Sequence, residues 1–207
     1  MRMTEAEESE RIWGGTTLAE RKRDRRTKLL QAGVRLIAAG GGQAVTVRAV
    51  CREASLTSRY FYEHFGDRDD FTVAVFQTLA DECQEAIREA VSRSSGAPRA
   101  VAAAAVDAVV GVAIDSPDAG RVLFVAPTTD PVLFAARDRF FPVMADMIAD
   151  QFPDRDDVDV RRLKSASLVG ALSHVFFLYV GGSLDVPRDV FVEHCVDLLL
   201  TVAAMRA

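Results

Sequence analysis

Residues 46–65, TVRAVCREASLTSRYFYEHF, decide the fold. Thr46 supplies an N-cap hydroxyl, and Val47, Val50, Cys51 and Ala54 recur at helical spacing, which predicts a short helix with one apolar face. Ser55-Leu56 turns the chain, and Thr57 caps a further helix through His64 whose inward residues include Phe61 and Phe65. Upstream, Leu29, Leu30, Gly33, Leu36 and Ile37 mark a longer helix that begins near Arg21 and stops at Gly40-Gly41-Gly42. Two short helices joined by a tight turn and preceded by a third form a helix-turn-helix, the arrangement that lays its last helix in the major groove of DNA.

With Phe61 and Phe65 turned inward, Thr57, Ser58, Arg59 and Tyr60 lie at the exposed N-terminal end of that last helix, where side chains reach base edges. Arg59 is the candidate for a bidentate contact to guanine, and Tyr60 for a thymine methyl or a phosphate. Tyr62 and His64 fall further along and are expected at the sugar-phosphate backbone. Thr46, Arg48 and Arg68 stand at helix starts, where a hydroxyl, a guanidinium and free N–H groups suit phosphate oxygens. Arg25 and Arg26, in the basic run Arg21, Lys22, Arg23, Arg25 and Arg26, are expected to track phosphates or a minor groove. Tyr60 and Tyr62 have a second reading as core aromatics, and the basic run one as a solvated helix end.

Charge divides along the chain in the same way. The net charge is -5, yet residues 11–68 carry 12 Lys/Arg against 5 Asp/Glu, residues 69–207 carry 12 against 21, and residues 1–10 contribute -3. A basic segment joined to an acidic one predicts that only the first meets phosphates. Residues 1–20, with Trp13-Gly14-Gly15, read as an arm, residues 21–70 as the DNA-binding domain, and residues 71–207 as a larger helical domain. A helix from about Asp67 to Ser92 links the two, and helices are expected over Arg99 to Ile114, Asp157 to Val180 and Arg188 to Ala204. The last two are apolar enough to predict a partner subunit.

The stretch from residue 27 to residue 71, TKLLQAGVRLIAAGGGQAVTVRAVCREASLTSRYFYEHFGDRDDF, resembles the DNA-binding region of the TetR family. Thr46-Val47-Arg48, Val50, Ala54, Tyr62, Phe65 and Phe71 occupy the places of the family's motif. Three positions depart from it: the family has glycine where Ser55 stands, an aromatic where Gly42 stands and lysine where Arg68 stands. Ser55 then has to accept a left-handed conformation or use another turn, and Gly42 is expected to loosen the packing of the first helix. The resemblance implies an all-α homodimer, C-terminal helices that enclose a pocket for a small effector, and repression of transcription from a double-stranded DNA operator. Residues 168–186, LVGALSHVFFLYVGGSLDV, resemble the family's penultimate helix more weakly. There Gly170, Ala171 and Ser173 are small enough for a close subunit contact, or for ordinary core packing. Phe124, Phe134, Met144, Met147, His174, Phe177 and Tyr179 are the candidate pocket residues: an adaptable apolar wall with His174 or Tyr179 to orient one polar group.

Other classes find little support. There is no E-x-x-H pair, no G-x-S-x-G and no Gly-rich phosphate loop, so a helical small-molecule-binding protein or enzyme with no DNA role is the weaker alternative. The run Asp154-Arg155-Asp156-Asp157-Val158-Asp159 lacks the glycine and the terminal glutamate of a calcium loop, and no cofactor or metal is expected. Cys51, Cys83 and Cys195 are odd in number and far apart, and are read as reduced and buried. No signal peptide and no wholly apolar run of about 18 residues is read, so a cytoplasmic location is expected and membrane insertion is not. The acidic C-terminal part argues against a protein that coats DNA regardless of sequence.

Overall fold

A computed structural model describes residues 17–94, 96–151 and 157–205. Residues 1–16 of the arm and residues 154–156 of the acidic run lie outside the described residues. Among those described the chain is all-helical, without a strand. The helices are α1 (Leu18–Gly40), α2 (Val47–Glu53), α3 (Ser58–Tyr62), α4 (Arg68–Arg93), α5 (Pro98–Ala113), α6 (Pro117–Gly120), α7 (Pro131–Ala149), α8 (Val158–Val180) and α9 (Arg188–Ala204).

The starts of these helices follow from local chemistry. Thr17 and Glu20 form a capping box at α1: the Thr17 N–H donates to Glu20 Oε2 at 2.6 Å and the Glu20 N–H donates to Thr17 Oγ1 at 3.2 Å. Thr46 caps α2 by accepting from the Ala49 N–H at 3.1 Å, and Asp67 caps α4 through the Asp69 and Asp70 N–H groups. Thr57 occupies the N-cap position of α3, but its hydroxyl makes no capping bond, which corrects the expected role of that side chain. α3 also ends at Tyr62 rather than His64.

Between α2 and α3, Ser55 adopts φ 54°. The Leu56 N–H donates to Cys51 O at 2.9 Å and the Ser55 N–H to Arg52 O at 3.2 Å. These two bonds define a Schellman ending, so serine holds the left-handed position that glycine ordinarily takes. The turn therefore keeps its geometry despite the substitution.

One apolar cluster extends from Leu29 and Ile37 of α1 through Val50, Phe61 and Phe65 to Phe71, Val75 and Phe76 of α4, and on to Leu133. α1 crosses α4 at Gly33, where a Cβ would approach Val75 Cγ2 to 2.6 Å and Phe71 Cζ to 2.7 Å. A second cluster joins Val106 and Val110 of α5 to Phe176 of α8 and Phe191 and Cys195 of α9. Between α6 and α7 the chain forms a π turn over Arg121–Val125 and a 3-10 turn over Ala126–Thr128. α8 is long and apolar enough to cross a membrane by composition, but Arg161, Arg162 and Lys164 occupy its first two turns and it packs on α7 and α9.

Candidate nucleic-acid interface and internal cavity

The aromatic core under α3 fixes which side chains face outward. Phe61 is fully buried and meets Phe65 and Phe71 with ring centroids 5.5 and 5.2 Å away. The helical period then turns Thr57, Ser58 and Arg59 to solvent, with the Arg59 side chain 85% exposed. Arg59 Nε lies 3.4 Å from Glu63, and an exposed pair of this kind is worth at most about 1 kcal/mol, so it does not hold Arg59 in place. Tyr62 is 60% exposed on the same surface, and Thr46 and Arg48 at the start of α2 are exposed beside it.

The α1 end of the surface is more constrained. Arg25 lies over the Tyr60 ring, 4.5 Å from its centroid, and 3.8 Å from Glu63. Tyr60 is half-buried, so it braces α3 against α1 with its ring while its edge borders the surface. Arg26 is exposed, 5.7 Å over Phe65. His64 is half-buried, and its Nε2 has no hydrogen-bond partner among the described residues. Burial, and then the charges of Lys22 and Arg25, hold its imidazole below the ordinary value, which keeps it neutral at pH 7.

Arg68 is placed differently from the expectation of a phosphate contact. Its Nε donates to Val45 O at 3.0 Å, its Nη2 donates to Gly42 O at 2.5 Å and reaches Asp130 Oδ2 at 3.5 Å, and its Nη1 pairs with Asp69. All its donor nitrogens are engaged inside the protein. Asp130 is buried at the N-cap of α7, where its other oxygen accepts from the Val132 and Leu133 N–H groups at 2.9 and 3.0 Å. Gly42 does not loosen α1 as expected, because the Asp130 carboxylate fills the space that a side chain at Gly42 would need. The two departures from the family motif, Gly42 and Arg68, therefore meet at one carboxylate 62 residues beyond Arg68 in the chain. Arg121 adds a second tie, donating to Ala38 O of α1 at 2.9 Å.

α4, α5, α7 and α8 surround an internal cavity of about 140 Å³. Phe124, Met144 and Met147 line it, together with Phe76, Phe140 and Phe176, which periodicity did not single out. Cys83 is also in the wall, and burial pushes its thiol up to about 11, so it remains protonated. Four candidates are placed elsewhere. Phe134 is 50% exposed beside Arg137, His174 is exposed against Phe177 at 5.8 Å, and Tyr179 packs against Phe191 with ring centroids 4.1 Å apart. Of the small residues on α8, Gly170 is exposed and Ala171 half-buried, whereas Ser173 lines the cavity instead of facing outward with Gly170. Leu163, 70% exposed, shares the outward stripe with Gly170 and His174 at helical spacing.

No curated protein sequence matches the chain. Residues 29–75 match the model of the bacterial regulatory proteins of the tetR family. Among solved structures, a transcriptional regulator of Pseudomonas aeruginosa PAO1 superposes with a TM-score of 0.70 at 16% identity, over 88% of this chain and 91% of the other. A TetR-like transcriptional regulator of Rhodococcus sp. RHA1 gives 0.60 at 20% identity, over 86% and 93%. The transcriptional regulator FadR of Bacillus subtilis, solved with stearoyl-CoA, gives 0.68 at 12% identity, over 86% and 97%. Residues 29–75 are thus a DNA-binding domain of the tetR family, and the chain as a whole has the fold of a TetR-family transcriptional regulator.

Proposed function

We propose that the chain is a ligand-responsive repressor that binds a near-palindromic operator as a homodimer and leaves it when a small, largely apolar effector enters the cavity. The observation that carries this reading is the exposed N-terminal end of α3, with Thr57, Ser58 and Arg59 above a rigid aromatic core and basic α1 alongside. Residues 21–70 bind DNA, with Arg59 and Ser58 at base edges and Thr46, Arg48, Tyr62 and Arg26 at phosphates. Residues 71–207 bind the effector and the second subunit. The outward stripe of α8 through Leu163, Gly170 and His174, with exposed Val190 of α9, supplies an apolar surface for the second subunit. A two-fold dimer sets its two α3 helices in successive major grooves, about 34 to 36 Å apart, or at a larger allowed spacing.

The route from cavity to DNA runs through α7. Its residues Phe140 and Met144 form part of the cavity wall, and its N-cap Asp130 holds Arg68 at the start of α4. An effector that favours a different setting of α7 shifts α4 and the spacing of the two α3 helices, and it weakens DNA binding by the free energy with which DNA weakens the effector. FadR of Bacillus subtilis, which shares this fold, was solved with stearoyl-CoA, a ligand that carries a long apolar chain. Footprinting the full-length protein on the DNA around its own gene, with a genome-wide selection alongside, tests the proposal. A protected palindrome is the expected result, and its absence from both overturns it.

A further inference from the structure

The cavity wall is mostly aromatic and aliphatic, with the Ser173 hydroxyl and the Cys83 thiol among its few polar groups. Arg137 of α7 is the only charged side chain among the residues that line it. Its Nε is buried without a hydrogen-bond partner, and no acidic side chain among the described residues pairs with it. The guanidinium lies 4.9 Å from the centroid of Phe134, which is exposed, and 5.3 Å from that of Phe141, which lines the cavity. Arg137 therefore stands at the rim, held by two rings, with donor capacity that the protein leaves unused. An arginine so placed matches a carboxylate, which accepts two parallel N–H bonds and neutralises the charge, whereas an amide accepts through one oxygen only and leaves the charge in place.

The shape of the site narrows the ligand further. A cavity of about 140 Å³ is close to the roughly 150 Å³ of an apolar protein cavity that admits benzene, so it has room for a single ring. Phe76, Phe124, Phe140 and Phe176 present aromatic surface to such a ring. The Cys83 thiol, protonated, adds no negative charge to oppose an anion.

We infer that the effector is an arylcarboxylate: an aromatic body in the cavity and one carboxylate on Arg137. This rests on the reading of the cavity as the effector site. The test titrates the full-length protein with phenylacetate and phenylacetamide by calorimetry, and follows release of operator DNA by fluorescence anisotropy. Wild type is expected to bind the acid about tenfold or more tightly than the amide. Arg137→Gln should bring that ratio to about one while leaving amide affinity within about twofold, and Arg137→Lys should keep part of the preference. Equal binding of acid and amide by wild type, or an unchanged preference in Arg137→Gln, overturns the inference. If the amide alone binds and releases DNA, the cavity remains the effector site and only the carboxylate assignment falls. If neither compound binds, the arylcarboxylate inference falls, and footprinting decides the repressor reading separately. Should Arg137→Gln fail to fold in a melting scan, the wild-type ratio and Arg137→Lys decide.

Discussion

Replacing Gly42 by alanine strikes the junction that ties the N-terminal helices to α7. The added methyl lands on the Asp130 carboxylate, which is buried and held by the Val132 and Leu133 N–H groups as well as facing Arg68. That carboxylate has to rotate away. Losing the α7 cap costs about 1 kcal/mol, and losing a contact between charged partners about 1.5 to 3 kcal/mol, with the lower part of the range apt because Arg68 keeps its bonds to Val45 and Gly42 carbonyls. Alanine restrains the unfolded chain and returns about 0.4 to 1 kcal/mol, so the net loss is about 2 kcal/mol. For a chain of this size that is roughly 4 to 8 °C in melting temperature, read by circular dichroism together with a urea titration. Gly41→Ala is the control: its φ of 69° costs about 1 kcal/mol, but the site faces open space and touches no other element. In a double-mutant cycle, Asp130→Ser with Gly42→Ala should cost at least about 1 kcal/mol less than the sum of the two single changes, because serine keeps a capping oxygen in a smaller volume. A Gly42→Ala protein within about 0.5 kcal/mol of wild type, or strict additivity in the cycle, would refute the steric reasoning.

Other expectations follow from the same geometry. Ser55→Gly should stabilise the protein by about 0.5 to 1 kcal/mol, since relief of about 1 to 2 kcal/mol at φ 54° outweighs the extra freedom of glycine in the unfolded chain; a fall in melting temperature would contradict it. Arg59→Ala should cost about 1 to 3 kcal/mol at the operator and relax base preference there, measured by competition between operator variants. Arg26→Ala should instead weaken all sequences alike and lower the salt slope by about 0.9; two variants with wild-type affinity and selectivity would show the contacts to be misassigned. His64 sits below the ordinary imidazole value of 6.5 in the folded protein, so the unfolded chain takes up a proton first as pH falls. Its contribution to stability is full above pH 6.5 and declines below it, and His64→Gln should flatten that part of a stability profile; an unaltered profile would exclude His64 as its source.

Sequence alone settled what depends on near neighbours. The cap at Thr46, the period of the apolar residues and the inward pair Phe61 and Phe65 all act within a few residues, so the start of α2 and the exposed face of α3 were legible from residues 46–71, whereas the end of α3 and the cap expected of Thr57 were not. Ser55 was legible as a strained position, and the two backbone bonds of the Schellman ending hold it. α8 was not legible in the same way, because apolar residues surround it and no face is marked. Only packing turned Phe176 and Ser173 to the cavity, Tyr179 to Phe191 and His174 outward. The same holds for Arg68. A guanidinium at a helix start suits a phosphate by its chemistry, but tertiary structure brought Asp130 to it, into the space that Gly42 leaves. It also left Arg137, with no acidic partner, at the rim of an aromatic cavity. A charge is assigned its role by what the fold places within a few ångströms of it, and that distance is set by helix packing, not by position in the chain.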